Sequence, residues 1–126
     1  MKLALSVGAF FLLLSLQGFA ESWIGVLVDS KCFDSAEANV NPWEPYRDQA
    51  MDVRYCRPKA RTKSFAIIQA DWSRLKLDSG VNAKAADLVG KAGKTPYIGV
   101  VVTGEKTKDT VTVESISIAK SKPAKN

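Results

Sequence analysis

Arg57, Lys59, Arg61 and Lys63 recur at every second position and form the most regular charge pattern in the chain. Alternate side chains of an extended backbone point the same way, so a strand here would line up all four. With Arg54 beside them and the rings of Trp43, Tyr46, Tyr55 and Trp72 within reach, such a ridge would hold an anionic partner. Phosphate groups, an acidic glycan or an anionic lipid would satisfy it by charge, with the rings adding stacking. Arg54, Arg57, Lys59, Arg61 and Lys63 are therefore the candidate charge contacts, and Trp43 and Tyr55 the candidate stacking partners. The competing reading is a solvated edge strand that its cations guard against aggregation.

Other chemistry is thinner. Asp29, Asp34 and Glu37 surround Cys32 and raise the question of a calcium site, but their spacing is not that of an EF-hand loop, and solvated turn residues account for them. Trp23 and Trp72 would serve a sugar as stacking platforms, or a barrel as core and rim. The chain has no histidine and only two cysteines, which excludes within it the usual zinc site, the His-based triad and the Cys-His pair. No acid pair carries the pattern of a two-carboxylate glycosidase. The expectation is a non-enzymatic protein with no catalytic residues, no metal and no cofactor.

The compartment follows from the first 20 residues. Lys2 precedes Leu3 to Leu16, a run of 14 residues broken only by two serines and a glycine, and Gly18 and Ala20 place small residues at −3 and −1 of a cut before Glu21. This is the pattern of a cleaved signal peptide. As a helix the run would span only ~21 Å, short of the ~30 Å hydrocarbon core. No later stretch is apolar enough to cross a bilayer, and no cysteine follows the cut to carry a lipid. An exported protein is expected, periplasmic or secreted, for which nucleic acid is an unattractive partner.

The whole chain has 18 Lys+Arg and 13 Asp+Glu, and losing the leader removes one lysine and no acid, leaving +4 on 106 residues. That is one small domain, assigned to residues 21–119. In an oxidising compartment an even pair of thiols reads as a disulfide, and Cys32 and Cys56 allow one intramolecular pairing. The 24-residue separation is far wider than a redox Cys-x-x-Cys turn. Closing the loop contributes about 3.5 kcal/mol in the chain-entropy account.

The elements that position these residues are mostly strands. Trp23 to Val28 is apolar on both faces and reads as a buried first strand. Residues 31–58 lose that pattern, collect Asn39, Asn41, Pro42 and Pro45, and form a disulfide-closed excursion. Inside it, Tyr46, Ala50, Met51 and Arg54 recur at three- and four-residue steps and predict a short helix over 44–55. Strands are expected at Ser64 to Ala70 and Arg74 to Leu77, and an Ala-rich helix at Val81 to Gly90, with Gly90 and Gly93 as stop signals. Tyr97 to Thr103 and Thr110 to Ile118 then pair as a hairpin across the polar turn Gly104 to Asp109. In the last strand the apolar parity switches between Val113 and Ile116, which predicts a β-bulge or bend near Glu114-Ser115. The lysine-rich tail 120–126 has nothing to pack and is expected to be disordered.

The order strand, strand, strand, helix, strand, strand matches the OB-fold, a five-stranded Greek-key barrel. The opening Trp23-Ile24-Gly25-Val26-Leu27-Val28-Asp29-Ser30-Lys31-Cys32 and the closing segments Val100 to Gly104 and Thr110 to Ile116 resemble small exported bacterial domains of uncharacterised function. More distantly the chain is similar to the bacterial OB-fold family of exported proteins, abbreviated BOF. The resemblance implies a mainly β, five-stranded OB-like barrel with one helix and a disulfide-closed loop after the first strand, and it brings no catalytic residues. Two functions fit. One is a binding module that recognises an anionic glycan, lipid or envelope protein through the basic edge; the other is a structural or stress-related envelope protein acting within a larger assembly.

Overall fold

A computed structural model describes residues 20–38 and 49–120. The expected leader and tail, Trp43 and Tyr46 fall outside these residues, apart from Ala20 and Lys120 at the borders. The alternating β-branched segments form β1 (Glu21–Asp29), β2 (Phe65–Ile68), β3 (Arg74–Leu77), β4 (Gly99–Thr107) and β5 (Thr110–Ile118). Among the described residues three α-helices join them: α1 (Ser30–Ala38) and α2 (Gln49–Tyr55) between β1 and β2, and α3 (Asn82–Ala92) between β3 and β4.

The strands close into a barrel in the order β1-β2-β3-β5-β4, which is the OB-like arrangement expected. All neighbours are antiparallel except β3 and β5, whose parallel pairing of Lys76 with Thr110 and Leu77 with Val111 completes the ring. The period-2 pattern then separates two faces. Leu27, Phe65, Ile67, Leu75, Leu77, Val100, Val102 and Val111 point inward and fill the barrel, and α3 adds Ala85 with half-buried Leu88, Val89 and Ala92. A second, smaller core lies outside the barrel, where Val28, Ala66 and Ile68 on the outer face of β1 and β2 meet Phe33 of α1 and Val53 of α2.

The parity switch has the expected cause. Thr103 faces Ser115 but Gly104 faces Val113, so Glu114 is an extra residue and the bulge returns Ile116 to the core side. Asp78 braces this region, its Oδ1 accepting from Val113 N at 2.8 Å while Oδ2 accepts from Gly80 N at 3.2 Å.

Four boundaries correct the sequence reading. The excursion after β1 is not patternless at its start, because α1 occupies Ser30–Ala38; the expected helix over 44–55 is described from Gln49 onward. The second strand is only Phe65–Ile68, because Gln69 N donates to Ser73 O at 2.9 Å and already closes the hairpin loop. The helix continues through Gly90 and stops at Gly93, whose φ of 71° ends it. The last hairpin turns on Lys108 and Asp109 alone, with Lys108 at φ 59°, so Gly104 to Thr107 belong to β4 and not to the turn. Lacking the Asn-Gly signature of a tight turn, the sequence concealed this.

Two glycines separate packing from propensity. A Cβ on Gly104 would collide with the backbone oxygen of Thr112, whereas one on Gly90, inside α3, would meet nothing within 4 Å. Gly104→Ala is expected to destabilise by about 1–3 kcal/mol, as overpacked sites do. Gly90→Ala should stabilise by roughly 1 kcal/mol through helix propensity. Urea unfolding of the two variants beside the parent checks both signs.

Candidate functional site

The excursion between β1 and β2 is built from the end of β1. Asp29 Oδ1 accepts from Cys32 N at 3.0 Å and so caps α1, while Oδ2 accepts from Thr62 Oγ1 at 3.0 Å. Cys32 and Cys56 form the expected disulfide, with Cα atoms 5.5 Å apart. Cys56 is buried and follows directly on α2, so the bridge holds both helices against the outer face of the sheet.

The acids around Cys32 have partners within the chain. Asp34 and Glu37, one turn apart on α1, both take Arg74 Nη1 of β3, the Glu37 contact at 2.9 Å. The Arg74 guanidinium also stands 5.7 Å from the centre of the Phe33 ring. This clasp fastens α1 to the barrel, and no group of three His, Cys, Asp or Glu able to hold a metal occurs among the described residues.

The cation ridge requires a correction. Residues 57–63 are not extended, because Thr62 N donates to Lys59 O at 3.1 Å and Lys59 N donates to Thr62 Oγ1 at 2.9 Å, making a turn. The two-residue spacing therefore does not align four side chains on one strand face. Arg57 is turned toward the end of α3, its Nε donating to Thr95 O at 2.6 Å and its Nη2 to Gly93 O at 2.7 Å. At the other end of the segment, Lys63 O accepts from Asn82 Nδ2 at 2.7 Å. The segment is thus a strap tied to both ends of α3. Lys59, Arg61 and Lys63 are exposed on it, Arg54 and Tyr55 are exposed at the end of α2, and Trp43 lies outside the described residues.

One concave feature of the structure was not legible as a motif. An apolar groove of about 440 Å³ runs over the outer face of β1, walled by Ala50 and Val53 of α2 and floored by Val26, Ile68 and Gly99. Ile24, Trp72 and Tyr97 stand at its rim, 66 %, 47 % and 41 % exposed. Ile24, Val26 and Val28 share one face of β1, and the helix pair covers Val28 fully, Val26 in part, and leaves Ile24 open. Trp23 points the other way and packs against the barrel core, so it forms no platform with Trp72.

Trp72 is presented by a strained loop. Its φ of 69° lies in the left-handed region that bulky residues rarely adopt. Trp72 N donates to Gln69 O at 2.9 Å, Ser73 N donates to Asp71 Oδ1 at 3.0 Å, and Ser73 Oγ lies 2.5 Å from the same oxygen. The Ser73 hydroxyl, and next its backbone N–H, hold the Asp71 carboxyl below the ordinary value of 3.8.

No protein-family model, curated protein or solved structure matches the chain.

The Trp72 loop makes a pH prediction. A lowered folded pKa means that the ionised Asp71 supports the loop fully above about pH 3.8 and loses that support as pH falls through its own, lower value. A carboxyl-carbon NMR titration should place the Asp71 transition below the ordinary value in the parent, and closer to it in Ser73→Ala, which removes the hydroxyl and keeps the backbone N–H. A depression undiminished in Ser73→Ala would assign it to a cause other than the hydroxyl.

Proposed function

We propose that this protein is a non-catalytic binding module of an oxidising, extracytoplasmic compartment and that it holds an apolar ligand in the groove beside β1. The observation that carries the reading is the groove itself. Its size falls within the range of small-molecule sites, about 300–1,000 Å³, and its lining is almost wholly carbon. An isolated exposed apolar residue needs no explanation, but three large ones converging on one depression form a patch of the kind that marks binding.

The chemistry of the lining suits retention and not turnover. Gln69, the Trp72 indole and the Tyr97 phenol supply its polar side-chain groups, and no lining residue is a carboxylate, lysine, serine or cysteine. The inner barrel is filled by side chains, which leaves the outer face as the place for a ligand. The disulfide supports the oxidising compartment, and the signal-like leader supports export as its route. The barrel topology is that of a five-stranded OB-like fold, and a fold assigns no ligand. The strap is not extended, so the two-residue spacing does not align its basic residues, and we locate binding at the groove and not at a basic edge.

The uncharged dye N-phenyl-1-naphthylamine tests this by fluorescence titration. Saturable binding is expected, weakened at least about tenfold in Trp72→Ala and in Ile24→Asp, since an exchanged apolar contact of about 1.5 kcal/mol is worth a factor of that order. Both positions are exposed, so circular dichroism should be unchanged. Dye affinity indifferent to both substitutions would overturn the reading.

A further inference from the structure

A second depression, of about 700 Å³, adjoins the groove and shares Ile24, Tyr97 and Gly99 with it. It continues over Ile118 and Ala119, and its lining includes two lysines, Lys91 of α3 and Lys120 after β5. We propose that the two depressions form one site for a single-chain anionic amphiphile, its acyl tail lying along the groove toward Trp72 and its headgroup at Lys91 and Lys120. The inference rests on the groove-binding reading and adds the class of ligand.

Length, charge and hydrogen bonding each bear on it. Ile68, Val26 and Gly99 are neighbours in register across β2, β1 and β4, and Ala119 N donates to Gly99 O at 2.8 Å, which adds the end of β5 to the row. Three inter-strand spacings of about 4.8 Å make a track of roughly 14 Å, crossing the strands and not following them. Gly99 keeps the passage low, since a Cβ there would meet only Ala119 Cβ at 3.7 Å.

The two lysines are the only charged side chains among the described residues that line either depression, and no carboxylate accompanies them there. Lys91 Nζ does meet Asp87 Oδ2 at 3.0 Å, outside both depressions. Both side chains are more than half exposed in this i,i+4 pair, so an incoming carboxylate or sulfate can exchange for it. A charge gradient from neutral groove to cationic end selects a ligand with one anionic terminus.

A peptide fits less well. The barrel is closed, so β1 offers no free edge to an added strand. Peptide groups laid across a carbon-lined groove would lose water without gaining partners, which is unfavourable. An acyl chain has no such groups.

Displacement of N-phenyl-1-naphthylamine by dodecanoate and by uncharged 1-monododecanoylglycerol, each below its aggregation concentration, separates the possibilities. Dodecanoate is expected to displace the dye at about tenfold lower concentration at low salt. That advantage should shrink at high salt and vanish in the Lys91→Gln/Lys120→Gln double variant, whose dye affinity stays at the parent value. Gly99→Leu should weaken both compounds.

Equal displacement by the two compounds, unaffected by the lysines, would overturn the headgroup assignment while the groove reading stands. A dye that binds but yields to neither compound would overturn the amphiphile altogether. If the dye does not bind the parent protein, the groove reading itself falls. Co-sedimentation with phosphatidylglycerol vesicles in place of displacement by monomeric dodecanoate would replace the single-chain occupant with a bilayer surface.

Discussion

Asp29 stands where the chain leaves the barrel, and the arrangement of everything outside the barrel depends on how that exit is held. Its carboxylate caps α1 through Cys32 N and receives the Thr62 hydroxyl, and its own backbone N–H donates to Cys56 O at 2.8 Å. The next residue, Ser30, is buried and donates its N–H to Ser64 O at 3.0 Å. The two ends of the excursion are thereby closed against each other beside β1. The Cys32–Cys56 bridge adds a covalent closure to the same place, worth about 3.5 kcal/mol if its effect is the lost entropy of the open loop. For a domain of this size that is a large share of a stability of about 5–15 kcal/mol.

The parts of this architecture that could be read in the sequence are those set by short-range alternation. Thr110 to Ile118 announced both its strand and its bulge, because a one-residue change of parity must be absorbed somewhere if Val111 and Ile116 are to share a core. The disulfide was legible from compartment and parity. Helix α1 was not, because its apolar contribution to the second core is the single large residue Phe33. Its acids have the spacing of solvated turn residues, yet Asp34 and Glu37 form the clasp on Arg74, a partner 40 and 37 residues away. The spacing of Arg57, Lys59, Arg61 and Lys63 misled for the converse reason. Alternation carries meaning only on an extended backbone, and the Thr62 side chain bends this one through Lys59 N.

The groove was illegible for a reason that concerns β1 alone. A strand with apolar residues on both faces reads as buried on both, and the inner face obeys, with Leu27 fully enclosed. On the outer face coverage depends on how far the helix pair reaches. Val28 lies beneath Phe33, Val53 and the disulfide, Val26 lies at the margin, and Ile24 lies beyond it. Sequence hydrophobicity falls off nowhere along Ile24, Val26 and Val28, so the boundary between core and surface is set by the length of the helices and not by the strand.

That boundary makes the disulfide part of the site's geometry as well as of its stability. Helix α2 has seven residues and buries one of them, Val53, which is too little propensity and too little contact to fix a helix by itself. What fixes it is Cys56, one residue beyond its end, bonded to Cys32 on α1, which the Arg74 clasp and the Asp29 cap hold to the barrel. Ala50 and Val53 therefore form a groove wall whose position derives from the bridge, opposite a floor whose position derives from the barrel. The floor is shaped by backbone pairing in a closed sheet and changes little with side-chain substitution, whereas the wall depends on the disulfide, the Asp29–Cys56 backbone hydrogen bond and the buried Val53. A ligand held between them would couple the two cores, and variation in the helix pair could retune the site without disturbing the barrel beneath it.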